Sequence, residues 1–149
     1  MLTLIRCKGD DPAFIALTQA LDRDLGARYG EKMGFFGRYN RSADIETALV
    51  ARLDGEPAGC GCFKPVSDGT VEIKRVFVPA GLRGQGIARA ILGELESWAR
   101  ELGNWEAVLE TGELQHEAIR LYEAAGYART PNYGPYANVK ESICYRKML

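Results

Sequence analysis

The sequence predicts one α+β domain, a mixed and mainly antiparallel sheet with helices on both faces. Three observations carry that prediction. Three strand-like segments, 47–53, 58–66 and 71–78, follow one another through short turns, which makes an antiparallel meander. A glycine-rich loop then opens directly into a helix with a continuous apolar stripe. A further strand, helix and two closing strands follow, so a β-α-β unit grows out of the meander. At 149 residues the chain is expected to form a single domain over 1–149, large enough to bury a core without disulfide support.

Leu2–Arg6 alternates apolar and polar residues and reads as a first strand. Asp10-Asp11-Pro12 supplies a helix start, with an acidic cap and proline in the first turn. Phe14, Ile15, Leu17, Leu21 and Leu25 recur at helical spacing, and Gly26 or Gly30 can end that helix. Residues 29–42 read as a loop or short helix carrying Phe35, Phe36 and Tyr39. In the meander, Asp54-Gly55 and Asp68-Gly69 are the turn signals. The helix after the loop presents Ile87, Ala88, Ile91, Leu92, Leu95, Trp98, Ala99 and Leu102 on one face, and Gly103-Asn104 closes it. Trp105–Thr111 is the next strand, Gln115–Ala125 a second amphipathic helix closed by Gly126, and Tyr127–Tyr133 and Ser142–Leu149 the closing strands.

Composition excludes several classes. The chain is 46% apolar and 26% charged, with 19 basic against 20 acidic residues and a net charge of -1. That is no footprint for nucleic acid and no signature of disorder. No run reaches the roughly 18 apolar residues of a membrane span, and the short apolar N-terminal run has its charges on the wrong side for a signal peptide. The expected location is the cytoplasm, with no membrane and no nucleic-acid partner. Cys60 and Cys62 alternate in a strand-like segment, and with Cys7 and Cys144 read as reduced thiols. One histidine, His116, and this cysteine spacing do not make a metal site, so none is expected.

The segment richest in chemistry is Val76-Phe-Val-Pro-Ala-Gly-Leu-Arg-Gly-Gln-Gly-Ile-Ala88. A strand runs into a glycine-rich turn that becomes a helix N-terminus. Backbone N–H groups then point out of one end, the helix dipole adds about half a positive charge, and the glycines let a ligand approach the backbone. This is a cradle for an anion, with pyrophosphate its natural guest; the alternative is a plain helix cap. Arg83 and Arg89 can add charge-assisted contacts. A Walker loop would need Gly-Lys-Ser/Thr where Gly-Ile-Ala stands. G-x-G-x-x-G is also absent, although Glu106 and Glu110 fall 20 and 24 residues after Gly86.

Arg83-Gly-Gln-Gly86-Ile-Ala88, with the Val76-Phe-Val78 strand before it, resembles the Arg/Gln-x-x-Gly-x-Gly/Ala motif of the GNAT family of N-acetyltransferases. A second block resembles the same family: Leu109-Glu-Thr-Gly112, then Gln115-x-x-Ala118-Ile-Arg-Leu-Tyr122-Glu-x-x-Gly126-Tyr127. The similarity in element order covers nearly the whole chain and implies the GNAT acyl-CoA N-acyltransferase fold.

The resemblance implies a cofactor, acetyl-coenzyme A, acting as co-substrate. Its pyrophosphate would lie on the N–H groups of Arg83, Gly84, Gln85, Gly86, Ile87 and Ala88. Its pantetheine arm would run along the strand beside Phe77 and Val78. Gln115 stands where many members carry an asparagine that touches the cofactor. Direct attack of an amine on the thioester needs a base or water chain, a donor for the oxyanion and a proton for the leaving thiolate. The resemblance places the Val78 N–H at the oxyanion and Tyr122 as the acid, against core packing as the other role for Tyr122. Glu72 is the expected base, Glu110 its rival; the alternative for Glu72 is an ordinary cross-strand pair. The acceptor end would be built by Tyr29–Arg41 and Asn132–Tyr136, with Phe35, Phe36, Tyr39, Tyr133 and Tyr136 as walls of a pocket for a small amine, or as mere filling of the crevice. Glu31 or Asp44 could meet an ammonium group.

The leading reading is an acetyltransferase for a primary amine of a small molecule, amino acid or peptide. Its alternatives are a protein Lys or N-terminal acetyltransferase and a non-catalytic acyl-coenzyme A sensor. A homodimer is common in the family, and the sequence marks no interface.

Overall fold

The computed structural model describes residues 1–29 and 44–149. Its elements in order are β1 (Leu2–Cys7), α1 (Pro12–Tyr29), β2 (Thr47–Leu53), β3 (Glu56–Ser67), β4 (Thr70–Phe77), α2 (Ile87–Glu101), β5 (Glu106–Gly112), α3 (His116–Ala124), β6 (Ala128–Thr130) and β7 (Ser142–Met148). The strands form one seven-stranded sheet in the order β1-β2-β3-β4-β5-β7-β6. Among the described residues only the β4–β5 pair is parallel. This is the mixed, mainly antiparallel sheet that the turn and loop signals predict.

Helices cover both faces, and the strands sort their side chains accordingly. Ala48 and Val50 of β2 pack with Phe14, Leu17, Leu21 and Leu25 of α1. Leu49 and Ala51 pack on the other face with Ile91, Leu92 and Leu95 of α2 and Tyr122 of α3. Helix α1 starts as its sequence demands. Asp11 Oδ1 accepts the N–H groups of Ala13 at 2.9 Å and Phe14 at 3.1 Å, and Pro12 takes the position where no N–H is needed. The helix passes through Gly26 and leaves Ile15 exposed, one turn edge away from the stripe. Helix α2 ends at Glu101, so Leu102 lies outside the buried stripe and is 59% exposed. The closing strand predicted over Tyr127–Tyr133 narrows to Ala128–Thr130, followed by a short 3-10 turn at Gly134–Tyr136.

Strand β3 reads Gly59-Cys-Gly-Cys62, and each residue type serves one face. A Cβ on Gly59 would lie 2.8 Å from Ile91 Cδ1, and one on Gly61 2.9 Å from Ile91 Cγ2 and Leu95 Cδ1. The glycines therefore set how closely α2 approaches the sheet. Cys60 and Cys62 face α1 as buried, unpaired thiols. Burial pushes the Cys62 thiol up to about 12 and raises that of Cys60 further, so both stay protonated donors.

Those donors meet a break in β4. Cys60 pairs with Phe77 and Cys62 with Lys74, so β4 carries one extra residue between them. Arg75 sits in this bulge at φ 60, a left-handed conformation uncommon for a residue with a Cβ. The Cys62 thiol donates to the Lys74 carbonyl and the Cys60 thiol to the Arg75 carbonyl, each at 3.4 Å. The parallel register with β5 runs from Thr70–Glu106 to Ile73–Leu109 and stops there. Beyond Ile73 the two strands part, and β4 turns its backbone into a cleft.

Candidate active site

The cleft begins at the glycine-rich loop. Gly84 at φ 83 and Gly86 at φ 79 turn the chain from β4 into α2, and Gly86 is the helix N-cap. Among the described residues no side chain caps this end, and no acid lies in its first turn, so the first N–H groups of α2 have no side-chain acceptor there. A Cβ on Gly84 or Gly86 would meet open space. The glycines serve their backbone angle and the approach of a ligand rather than internal packing.

A cavity of about 340 Å³ runs from this cradle along the end of β4 to α3. Its lining includes Phe77, Val78, Arg83, Gly84, Gly86, Ile87, Ala88 and Gln115, residues that the sequence nominates for the cofactor. Gln85 is not among them; its amide donates to the Leu82 carbonyl at 3.2 Å. The Arg83 side chain is held at the mouth. Its Nε donates to the Val78 carbonyl at 2.7 Å, and its guanidinium lies 5.8 Å from the Phe77 ring centre and 4.0 Å from Asp24. Arg89, the other arginine nominated for the anion, lines the same cavity.

Where that cavity ends a second one starts, about 60 Å³, bordered by Glu72, Lys74, Glu110, Thr111 and Tyr136. Gln115 and Tyr122 border both. Tyr122 is 7% exposed, and burial with the nearby Glu110 charge pushes its phenol well above the usual range. The phenol is a proton donor at neutral pH, and its hydroxyl makes no hydrogen bond with any described residue. Packing holds the ring, which meets Tyr127 edge-on at 6.0 Å. Core packing and a polar tip aimed at the cleft are thus both present in this one residue.

The two candidate carboxylates differ in their surroundings. Tyr133 donates its hydroxyl to Glu72 Oε2 at 2.7 Å, and Glu72 Oε1 lies 3.5 Å from Lys74 Nζ and 3.8 Å from Lys64 Nζ. Glu110 accepts a 2.6 Å hydrogen bond from Ser142 Oγ. Burial pushes Glu110 up to about 7, against the lowering effects of Ser142 and Lys74. A carboxyl that changes charge near neutral pH is suited to accept a proton in turnover.

Tyr133, expected as a wall, reaches in to hold Glu72 and packs edge-on against Tyr136 at 5.6 Å. Phe35, Phe36 and Tyr39, also expected as walls, lie outside the described residues, as does Glu31. His116 is exposed at the start of α3. Sequence reasoning passed over Lys74 and Thr111. The signal for the first was present: Lys74-Arg75 puts two charges side by side in a strand whose neighbours alternate.

Comparison with known proteins agrees with this geometry. The profile of the acetyltransferase (GNAT) family matches residues 14–127, from α1 through the cradle and the cleft to the end of α3. The chain belongs to the GNAT family of acetyltransferases. It is 33% identical to an IAA acetyltransferase of Azospirillum brasilense, covering 99% of this chain and 98% of that protein. Among solved structures, a candidate acyl-CoA N-acyltransferase from Klebsiella pneumoniae subsp. pneumoniae superposes with a TM-score of 0.84 at 32% identity, over 100% of this chain and 98% of the other. The PaiA N-acetyltransferase of Thermoplasma acidophilum, solved with coenzyme A, shares the GNAT fold at a TM-score of 0.77 and 15% identity, over 100% and 99% of the two chains.

Proposed function

We propose that this GNAT protein transfers the acetyl group of acetyl-coenzyme A to a primary amine of a small molecule, amino acid or peptide, by direct attack with both substrates bound. One observation carries the reading. The cavity that starts at the helix N-terminus and the cavity that holds the carboxylates share Leu21, Val76, Gln115 and Tyr122 in their linings. A thioester bound in the first would present its carbonyl to an amine in the second.

Acetyl-coenzyme A supplies an activated acyl group on a thiol that can leave. The protein's own groups do the rest. The first N–H groups of α2 and the open space at Gly84 and Gly86 fit a pyrophosphate. The parted backbone of β4 at Phe77 and Val78 fits an extended arm, with the Val78 N–H as donor to the oxyanion. Tyr122 holds the proton for the departing sulfur. Glu110, titrating at about 7, takes the proton of the attacking amine directly or through water. Glu72, tied to Tyr133 and flanked by Lys64 and Lys74, is better placed to orient the acceptor side than to act as the base.

The test is amine-dependent release of coenzyme A thiol over a panel of primary amines, amino acids and short peptides. The reading requires release that depends on both substrates and yields the N-acetylated product by mass. A folded protein that releases no thiol with any of them contradicts it.

A further inference from the structure

We propose that the acceptor is an amino acid-like molecule, an amine that also carries a carboxylate, and that Lys74 receives the carboxylate. The inference rests on the transferase reading above and narrows its substrate class.

Lys74 Nζ is a buried cation, its side chain 6% exposed, and it borders the smaller cavity. An ammonium has three donors. Among the described residues Nζ meets the Tyr136 hydroxyl at 3.2 Å and Glu72 Oε1 at 3.5 Å, which leaves one donor unfilled. Glu72 cannot neutralise it alone, because the same carboxylate oxygen is shared with Lys64 and the other accepts from Tyr133. Burial lowers the Lys74 pKa, against the raising effects of Glu72 and Glu110, so an added anion would favour its charged form.

The neighbouring charges do not offer a substitute. The Arg75 guanidinium, the other cation bordering this cavity, is spent on Asp22, and Glu110, close enough to act on the Lys74 charge, is itself held by Ser142 Oγ. The cavity therefore holds charges of both signs, Lys74 beside Glu72 and Glu110. Glu110 and Tyr122 suit an amine that must lose a proton. Lys74 suits an anion. A molecule with an amine and a carboxylate a few bonds apart answers both. A diamine would set its second cation against Lys74.

The experiment compares L-leucine with L-leucinamide, and L-phenylalanine with L-phenylalaninamide, as acceptors with saturating acetyl-coenzyme A. In each amide the amine is the less basic, so more of it is free at a given pH. A preference for the acid then cannot come from amine ionisation. The expected kcat/KM ratio of acid to amide is about tenfold or more in the native protein, as a charge-assisted contact gives. In Lys74→Gln the ratio falls to about one. Turnover of the amides equal to or better than the acids in the native protein overturns the proposal and leaves the transferase reading standing, whether or not Lys74→Gln folds. A ratio unchanged in folded Lys74→Gln also overturns the assignment of Lys74. Absence of any acetyl-coenzyme A-dependent turnover, on these acceptors and on the wider amine panel, removes the transferase reading and this proposal with it.

Discussion

Arg75 and Asp22 form a two-pronged ion pair between the bulge of β4 and helix α1, Nη1–Oδ1 at 2.8 Å and Nη2–Oδ2 at 3.1 Å. The same guanidinium donates to the Thr18 carbonyl at 3.1 Å. The pair holds a residue with a Cβ at φ 60, where such residues are disfavoured by roughly 1–2 kcal/mol. With the Cys60 and Cys62 thiols on the flanking carbonyls, the bulge that parts β4 from β5 is braced from α1 and from β3.

Removing the α1 end of that brace is costly because it leaves a buried guanidinium short of its anion. Asp22→Asn is expected to lose about 2 kcal/mol, less than a fully buried pair because Asp22 is 42% exposed. For a chain of this size that lowers Tm by roughly 4–8 °C. Thermal unfolding followed by circular dichroism reads it. An unchanged Tm would mean that the bulge is held without the pair.

Tyr122→Phe removes a hydroxyl that makes no hydrogen bond to a described residue, so stability should hold. The ring contacts with Tyr127 and Tyr145 remain. The expected result is acetyl-coenzyme A affinity within about twofold of native and kcat lower by about 100-fold, the scale of a lost general acid. Native kcat in the variant would leave Tyr122 with packing alone.

Glu110 links rate and stability to pH with opposite signs. As the base it must be ionised, so kcat/KM rises as pH passes about 7. Its folded pKa stands above the ordinary 4.5, so the folded state binds the extra proton, and this contribution to stability is full below about 4.5 and lost as pH rises through about 7. Glu110→Gln should keep only the pH dependence of the amine's own ionisation and lose turnover. It should also be the more stable form at pH 8, by about 2 kcal/mol. A native pH-rate profile in the variant would return the base to Glu72 or to water.

Much of this was legible because it is written in short-range pattern. The meander follows from alternation and two Asp-Gly turns, with Asp54 at φ 51 and Gly55 at φ 88 as such a hairpin needs. The glycine-rich turn at a strand-to-helix junction follows from glycine spacing, with Gly84 at φ 83 and Gly86 at φ 79, while the role proposed for Tyr122 comes from the family resemblance of the second motif. What stayed hidden depends on partners distant in the chain. Nothing local says that Cys60 and Cys62 will donate to a bulge in the next strand, or that Tyr133 will cross the sheet to Glu72, 61 residues away in sequence. The balance between Glu72 and Glu110 has the same origin. Both are acids in strands, and only their partners, Tyr133 and Lys64 for Glu72 and Ser142 for Glu110, tell them apart.

On the proposed function, the cleft between β4 and β5 binds acetyl-coenzyme A through the backbone at Gly84–Ala88. Calorimetric titration of the native protein and of Gly86→Glu, both checked for fold by circular dichroism, tests it most directly, with ATP and NAD as controls. The account predicts saturable binding of acetyl-coenzyme A to the native protein, none of ATP or NAD, and loss of binding when a side chain and a negative charge enter the cradle. A folded native protein that ignores acetyl-coenzyme A, or a folded Gly86→Glu that binds it equally well, would contradict it.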